Sequence, residues 1–355
     1  MRLESGTVTA DAPDPETVAS LAAKVAFLSD RHAYAGLCEA VTTRETHMSW
    51  VFLAGERVYK LKKPVRFPYL DFSTLALREA ACRAELRLNR RLAPDVYLEV
   101  IPLTRSDGGL SIGGGGGVVD WLVAMRRLDE ASVLETRLKN HVQVWELNQL
   151  ASTLARFYRR ARPVTISPTA HLAEWATALA NNRQMLLDAR FNLPHGLVRR
   201  LDGVLQRFLR AARGRLIARV RRRRILDAHG DLRPEHIWMG DQIRIIDCLE
   251  FSPGLRANDP LDEIAFLDLE CERLGAPEAG RRIRAKVLRA LDEPNGELLY
   301  RFYRCHRAML RARLAIAHLL EPSPRTPDKW PKLARAYLNL AKRDAVVIER
   351  LLRRP

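Results

Sequence analysis

The residues with the clearest chemical potential stand in one stretch, HGDLRPEHIWMGDQIRIID, which runs from His229 to Asp247. Ile237–Met239 and Ile243–Ile246 have the apolar, β-branched character of two short strands, and Gly240-Asp241 supplies their turn. Asp231 then lies just before the first strand and Asp247 just after the second. An antiparallel hairpin returns its exit to its entry, so both carboxylates come to the same end. Two such side chains can hold a hard cation and orient a hydroxyl. Singly, each has a plainer reading. An Asp before a strand is commonly a turn residue, and the glycine of His-Gly-Asp can serve a tight turn. The joint pattern carries the chemistry.

A second set sits upstream. Val58-Tyr-Lys-Leu-Lys62 alternates as a strand does, so Lys60 and Lys62 share one face and Leu61 takes the other. Lysines on an inward face are uncommon without a carboxylate or an anionic ligand; the alternative is two solvated lysines on an edge strand. The stretch TLALREAACRAELRLNRRL reads as one long helix, with Ser73 as its N-cap and Pro94 just beyond its end. At about 100° per residue, Ala81, Glu85, Leu88 and Leu92 form one stripe and Glu79 faces nearly the other way. An acid inside an apolar stripe calls for a cation, which makes Glu85 the expected partner of a lysine; otherwise it is a flanking acid on an Arg-rich helix.

The elements that must position these residues follow from the rest of the chain. Its 355 residues are 47% apolar, enough for a sizeable core in two domains or one two-lobed enzyme, and disorder is excluded. Residues 1–35 are expected to form an N-terminal helical extension, with Val18, Leu21, Ala22, Val25 and Leu28 on one stripe. Residues 36–128 carry short extended runs (SWVFLAG, RVYKLKKPV, VYLEVIPLT, VVDWLVAMR) around the long helix. Residues 129–355 read as helical apart from the hairpin. The fold class is therefore α+β: a small β-rich lobe with one long helix, then a larger, mainly helical lobe. The cleft of such a pair is the default ligand site. The run GGGGG at 113–117 lacks the G-K-[ST] ending of a P-loop and reads as a flexible hairpin tip.

Lys plus Arg number 59 against 42 Asp plus Glu, a net charge of +17 that predicts anionic partners: a phosphorylated ligand, nucleic acid or an acidic surface. Eleven of the arginines fall in 197–224, against one Asp. That run is a solvated face, a lure for an acidic substrate, or a nucleic-acid-binding patch. Asp259-Pro-Leu-Asp262 opens a helix with both acids in capping positions. RFYRCHRAMLRARLAIAHLL reads as a core helix whose Arg301, Arg304 and Arg311 can reach acids. Five scattered cysteines without a C-x-x-C pair predict neither a disulfide framework nor a thiolate zinc site. The opening MRLESGTVTADAPDPE has no apolar core of a signal peptide, and no run has the about 18 apolar residues of a membrane span, so a cytoplasmic protein with no membrane partner is expected.

Over roughly residues 40–345 these motifs resemble the aminoglycoside phosphotransferase and choline kinase branch of the protein-kinase-like fold. The resemblance is closest to a bacterial group of uncharacterised aminoglycoside-phosphotransferase-like proteins. Some of that group carry an additional C-terminal P-loop domain, for which this sequence shows no motif. The resemblance implies a phosphotransferase that uses ATP and Mg²⁺ and acts on a hydroxyl of a small molecule. It makes Asp231 the catalytic base and Asp247 the metal ligand. His229 and Arg233 belong to the catalytic loop, His229 as a brace, and Asp259 and Asp262 support one or both. It gives the nucleotide phosphates to Lys60, in preference to Lys62, with Glu85 as the partner. It places Met125 of Met125-Arg-Arg-Leu128 at the hinge that meets adenine, unless Met125 is core packing, and a nucleotide-covering loop near Thr43–Ser49. The sequence departs from the family at His236, where an Asn usually ligates a second metal. Imidazole suits Mg²⁺ poorly, which leaves four alternatives: a single metal, replacement by Glu235 or a water, a phosphate contact from His236, or a nucleotide-binding pseudokinase. The net positive charge weighs against polycationic aminoglycosides as acceptors, and the helical stretch 129–200 carries no residue code for any acceptor.

Overall fold

The structure, a computed structural model, describes residues 19–36, 39–293, 296–321, 324 and 326–353; Val18 and Cys38 lie outside them. The chain divides into two compact units, Met1–Arg127 and Leu128–Pro355.

The first unit contains α1 (Leu21–Ser29), β1 (Thr42–Glu45), β2 (Ser49–Ala54), β3 (Arg57–Lys62), β4 (Arg66–Phe67), β5 (Leu70–Asp71), α2 (Leu75–Asn89), β6 (Tyr97–Ser106), β7 (Gly109–Ile112) and β8 (Gly117–Arg126). Six strands make one antiparallel sheet in the order β1-β2-β3-β8-β6-β7. Strand alternation divides its faces. Phe52, Tyr59, Leu61 and Leu122 form a core with Leu28 of α1. Lys60 and Lys62, one residue out of phase with Tyr59 and Leu61, turn toward α2.

Four sequence expectations change here. On α1, Ala22 is exposed and Lys24 is buried in its stead. The reason is ionic: Lys24 Nζ lies 2.7 Å from Asp120 Oδ2 of β8, and Asp120 Oδ1 accepts from Arg78 Nε of α2 at 2.7 Å. The N-cap of α2 is Thr74, whose hydroxyl accepts from the Leu77 amide; Ser73 instead donates to Asp71. Of the expected nucleotide loop near Thr43–Ser49, residues 43–45 belong to strand β1, and the turn is confined to Thr46-His47-Met48, where the Thr46 amide donates to the Ser49 carbonyl at 2.8 Å. The glycine run is not a hairpin tip. It joins β7 to β8, which flank β6 on opposite sides, so the chain must pass closely over β6. Gly116 has φ +118°, and a Cβ there would stand 2.4 Å from the Arg105 carbonyl oxygen.

The second unit contains α3 (Leu134–Asn140), α4 (Val144–Arg160), α5 (Pro168–Leu186), α6 (His195–Ala211), α7 (Arg213–Arg221), β9 (Leu226–Asp227), β10 (Ile237–Met239), β11 (Ile243–Ile245), α8 (Pro253–Arg256), β12 (Ala257–Asn258), α9 (Pro260–Arg273), α10 (Pro277–Ala290), α11 (Glu297–Ala317) and α12 (Lys329–Leu352). Phe208 of α6 stacks on Phe302 of α11 at 4.0 Å within a core that includes Leu201, Tyr303, Leu338 and Ile348. The arginines of α11 do reach acids: Arg301 meets Asp344 at 2.7 Å, Arg304 meets Asp268 at 3.3 Å, and Arg311 lies 3.5 Å from Glu270. The Arg-rich run divides. Arg219 is buried against Asp259 and Glu293, Arg200 and Arg207 hold Glu349, and Arg221, Arg222 and Arg223 stay exposed.

The four described cysteines are buried, and none of them is in a disulfide. Among the described residues, no helix is long and apolar enough to cross a membrane.

Candidate active site

In the first unit, Glu85 of α2 is 1% exposed and receives both lysines of β3. Lys60 Nζ donates to Oε1 at 2.8 Å, and Lys62 Nζ donates to Oε2 at 2.6 Å. Strand periodicity alone puts two ammonium groups on one carboxylate, so the cluster carries one net positive charge. The lysines differ in access. The Lys62 side chain is 1% exposed and lies over the Phe72 ring, whereas that of Lys60 is 16% exposed. Glu79, expected to face away, pairs with exposed Arg83. Met125 is half-buried near the end of β8, opposite Val58 and Tyr97 in register.

In the second unit the hairpin forms as expected, with Ile237 opposite Ile245 and Met239 opposite Ile243. His229 ties its two ends together. The Asp231 amide donates to His229 Nδ1 at 3.3 Å, and Nε2 donates to the Ile246 carbonyl at 2.9 Å, one residue before Asp247. One ring nitrogen must accept and the other must donate, so the ring has to be neutral. Burial, followed by the nearby His236, lowers its pKa to about 4, in keeping with that role. Gly230 has φ +90°, and a Cβ there would meet Leu249 and the Leu255 carbonyl at 3.0 and 3.1 Å; only glycine threads this loop without strain.

Asp231 presents its two oxygens differently. Oδ2 receives Arg233 Nε at 3.0 Å and Nη2 at 2.8 Å, while Arg233 makes no contact with Oδ1. Desolvation works to raise its pKa; Arg233, then His236 and Arg311, outweigh it and hold the carboxyl below its ordinary value. Arg233 also reaches Glu235.

His236 stands between the carboxylates. Its Nδ1 donates to the Asp231 carbonyl at 2.9 Å and lies 3.8 Å from Asp231 Oδ2, and its Nε2 lies 3.5 Å from Asp247 Oδ2. Asp247 has φ +63°, a left-handed conformation that Asp tolerates better than most residues, and its side chain is 49% exposed. Among the described residues, no three His, Cys, Asp or Glu side chains converge as a closed metal cage. An open site with one accessible carboxylate nevertheless fits Mg²⁺, which retains waters and takes phosphate oxygens rather than a full protein shell. His236 Nε2, with Arg233 Nη2 at 3.3 Å, is a poor second ligand for so hard an ion.

The support of the loop differs from the expectation for Asp259 and Asp262. Glu263, 1% exposed on α9, accepts the backbone amides of His229 and Gly230 and the Tyr158 hydroxyl, the last at 3.0 Å. Asp259 caps α9 through the Leu261 amide and holds Arg219, and Asp262 is committed to Arg307 at 2.7 and 2.8 Å. Neither acid has a hydrogen bond to Arg233 or His229. Glu263 stands at the fourth position after Asp259, one turn along, and that spacing was the only signal that could have singled it out.

No family model matches the chain. Uncharacterized proteins of Mycobacterium tuberculosis and Mycobacterium bovis are 30% identical to it over 304 residues, which is 81% of this chain and 59% of theirs, so the chain spans about three fifths of those relatives' length. Among solved structures, choline kinase from Cryptosporidium parvum aligns with a TM-score of 0.52 at 10% identity, covering 93% of this chain and 97% of its own. APH(2'')-IIIa in its GDP and kanamycin complex gives 0.51 at 16%, covering 90% and 98%. A choline/ethanolamine kinase family protein from Mesorhizobium loti gives 0.50 at 15%, covering 89% and 94%. The fold is that of these small-molecule kinases.

Proposed function

We propose, from a fold shared with choline kinase and aminoglycoside phosphotransferases, that this chain transfers a phosphoryl group from ATP, with Mg²⁺, to a hydroxyl of a small-molecule acceptor. The observation that carries the reading is the His229 clamp, which locks the backbones of two chemically distinct carboxylates together. Asp231, kept ionised and fixed at Oδ2 by Arg233, offers Oδ1 to the acceptor hydroxyl, orienting it and receiving its proton. Asp247 is the residue that would hold Mg²⁺, which when bound offsets phosphate charge. Lys60, with Lys62 and Glu85 behind it, binds the nucleotide phosphates through the cluster's excess positive charge. Phosphoryl transfer asks little covalent chemistry of a protein, so positioning and charge carry the rate.

The test is ATP consumption with Mg²⁺ across a panel of metabolite alcohols, amino alcohols and aminoglycosides. Turnover with at least one acceptor is expected, falling by about 10²-fold or more in Asp231→Asn and Asp247→Asn with the melting midpoint kept. Full turnover in either variant refutes the assignment. A pseudokinase is the second reading, favoured by His236 beside Asp247; ATP binding by calorimetry without consumption on any acceptor selects it.

A further inference from the structure

A groove of about 1050 Å³ runs along the second unit between the start of α4 and the length of α10. Val144 and Leu147 of α4 line one wall. Arg282, Lys286 and Arg289 of α10 line the other at spacings of four and three, which puts the three cations on a single helical stripe. Among the described residues none of the three has an ion pair, in a protein where most buried acids are taken by arginines. Val144 is 52% exposed, and its neighbour Trp145 is 62% exposed. Large apolar side chains left in water beside unpaired cations are unusual on a surface with no partner.

The basic surface continues past the end of the groove. Arg159 Nη2 donates to the carbonyl of Ala290, a groove residue, and Arg224 reaches the next carbonyl, that of Leu291. The Asp227 amide donates to the Arg162 carbonyl, bringing exposed Arg162 beside the end of the Arg221–Arg224 run. The groove is thus apolar on the α4 side; on the α10 side Glu278 is taken by Arg281, so Arg282, Lys286 and Arg289 give that wall its excess positive charge.

We infer that this groove docks an acidic amphipathic helix of a partner protein. The helix lays an apolar stripe on exposed Val144 and on Trp145 next to it in sequence, and its flanking carboxylates meet Arg282, Lys286 and Arg289. Charge complementarity sets the sign of the partner, and the apolar wall sets its class. A phosphate backbone offers nothing to Val144 and Trp145, and a bilayer surface does not enter a concave groove; a helix does both. The inference is independent of the phosphotransferase reading, because none of these residues belongs to the catalytic loop or the lysine cluster.

The test uses the full chain and a labelled synthetic helix with Leu at i, i+3, i+4 and i+7 and Glu elsewhere, read by fluorescence anisotropy. Controls are the same helix with Lys for Glu, a single-stranded RNA oligomer, and vesicles rich in phosphatidylserine. Saturable binding of the acidic helix alone is expected. The triple variant Arg282→Glu, Lys286→Glu, Arg289→Glu should weaken it about tenfold or more, and Trp145→Ala severalfold. All four side chains lie at the surface, so unchanged melting midpoints should show that the fold persists. No binding of the acidic helix, binding untouched by the triple variant, or tighter binding of RNA or vesicles that the triple variant abolishes each overturns the inference.

Discussion

Glu85 with its two lysines offers a perturbation whose outcomes separate fold from function. The carboxylate is 1% exposed and neutralises Lys62, which is also buried, and Lys60, which is partly open. Glu85→Gln removes the carboxylate charge that both ammonium groups share, and breaking a buried pair costs about 3–5 kcal/mol. Lys60→Met leaves Glu85 with Lys62, so the fold should lose no more than about 1 kcal/mol, the value of a partly exposed pair. Nucleotide affinity should nevertheless fall about 10- to 100-fold, because one charge-assisted contact to phosphate is worth about 1.5–3 kcal/mol. Lys62→Met is the intermediate case. Glu85 then keeps its bond from Lys60 and loses that from Lys62, so stability falls by about 1.5–3 kcal/mol and Lys60 is less able to leave for phosphate. Urea midpoints and the KM for ATP, measured on all three, read the two effects separately. A normal KM in Lys60→Met with a raised KM in Lys62→Met reverses the roles of the lysines, and identical profiles deny any division between them.

Gly230→Ala should lower turnover at least tenfold, since its Cβ would press on Leu249 and the Leu255 carbonyl and shift Asp231; wild-type kcat in the purified variant refutes the tight-loop account. Arg219→Leu should destabilise by about 3–5 kcal/mol in urea, because it strands Asp259 and leaves Glu293 with Arg224; a loss under about 1 kcal/mol would mean that Asp259 finds another cation. Stability should also fall with acid. His229 and His306 have native pKa values lowered to about 4 and about 3, each chiefly by burial, against 6.5 for the free side chain. The unfolded chain therefore binds more protons below pH 6.5, and stability drains away as pH drops from there toward 4. His306→Phe should flatten that slope, since it removes one of the two titrating rings and, among the described residues, no hydrogen bond to either of its nitrogens is lost; an unchanged slope would exonerate it.

The sequence reveals most where local periodicity and chemistry coincide. The hairpin that joins Asp231 to Asp247 is announced by two short β-branched runs about a Gly-Asp turn, and its register follows from them. Glu85 is visible because a carboxylate inside an apolar stripe has few reasons to be there, and both lysines are visible because a strand alternates. Lys24 escapes the same reasoning. A stripe drawn through apolar residues prefers Ala22, whereas Asp120 and the Val119 carbonyl, far along the chain, make burial of an ammonium group favourable. The acids at the start of α9 fail in a similar way. Asp259 and Asp262 both look like caps, yet Arg307 on α11 claims Asp262, and the free turn of helix brings Glu263 to the loop amides.

These misses have a common physical origin. Propensity and hydrophobic pattern act over a helical turn or a strand pair, whereas a buried charge is set by a partner anywhere in the fold. The carboxylates that flank the hairpin escape that limit because one neutral imidazole, two residues from Asp231, accepts from the chain entering the hairpin and donates to the chain leaving it. His229 is thus the mechanical link between the two ends of the hairpin. A ring that must accept at Nδ1 and donate at Nε2 cannot be replaced by a residue that does only one. Asparagine is the nearest substitute, carrying an acceptor and a donor on a shorter reach. Substitution at His229 should therefore loosen Asp231 and Asp247 together while the lysine cluster in the other unit keeps its geometry.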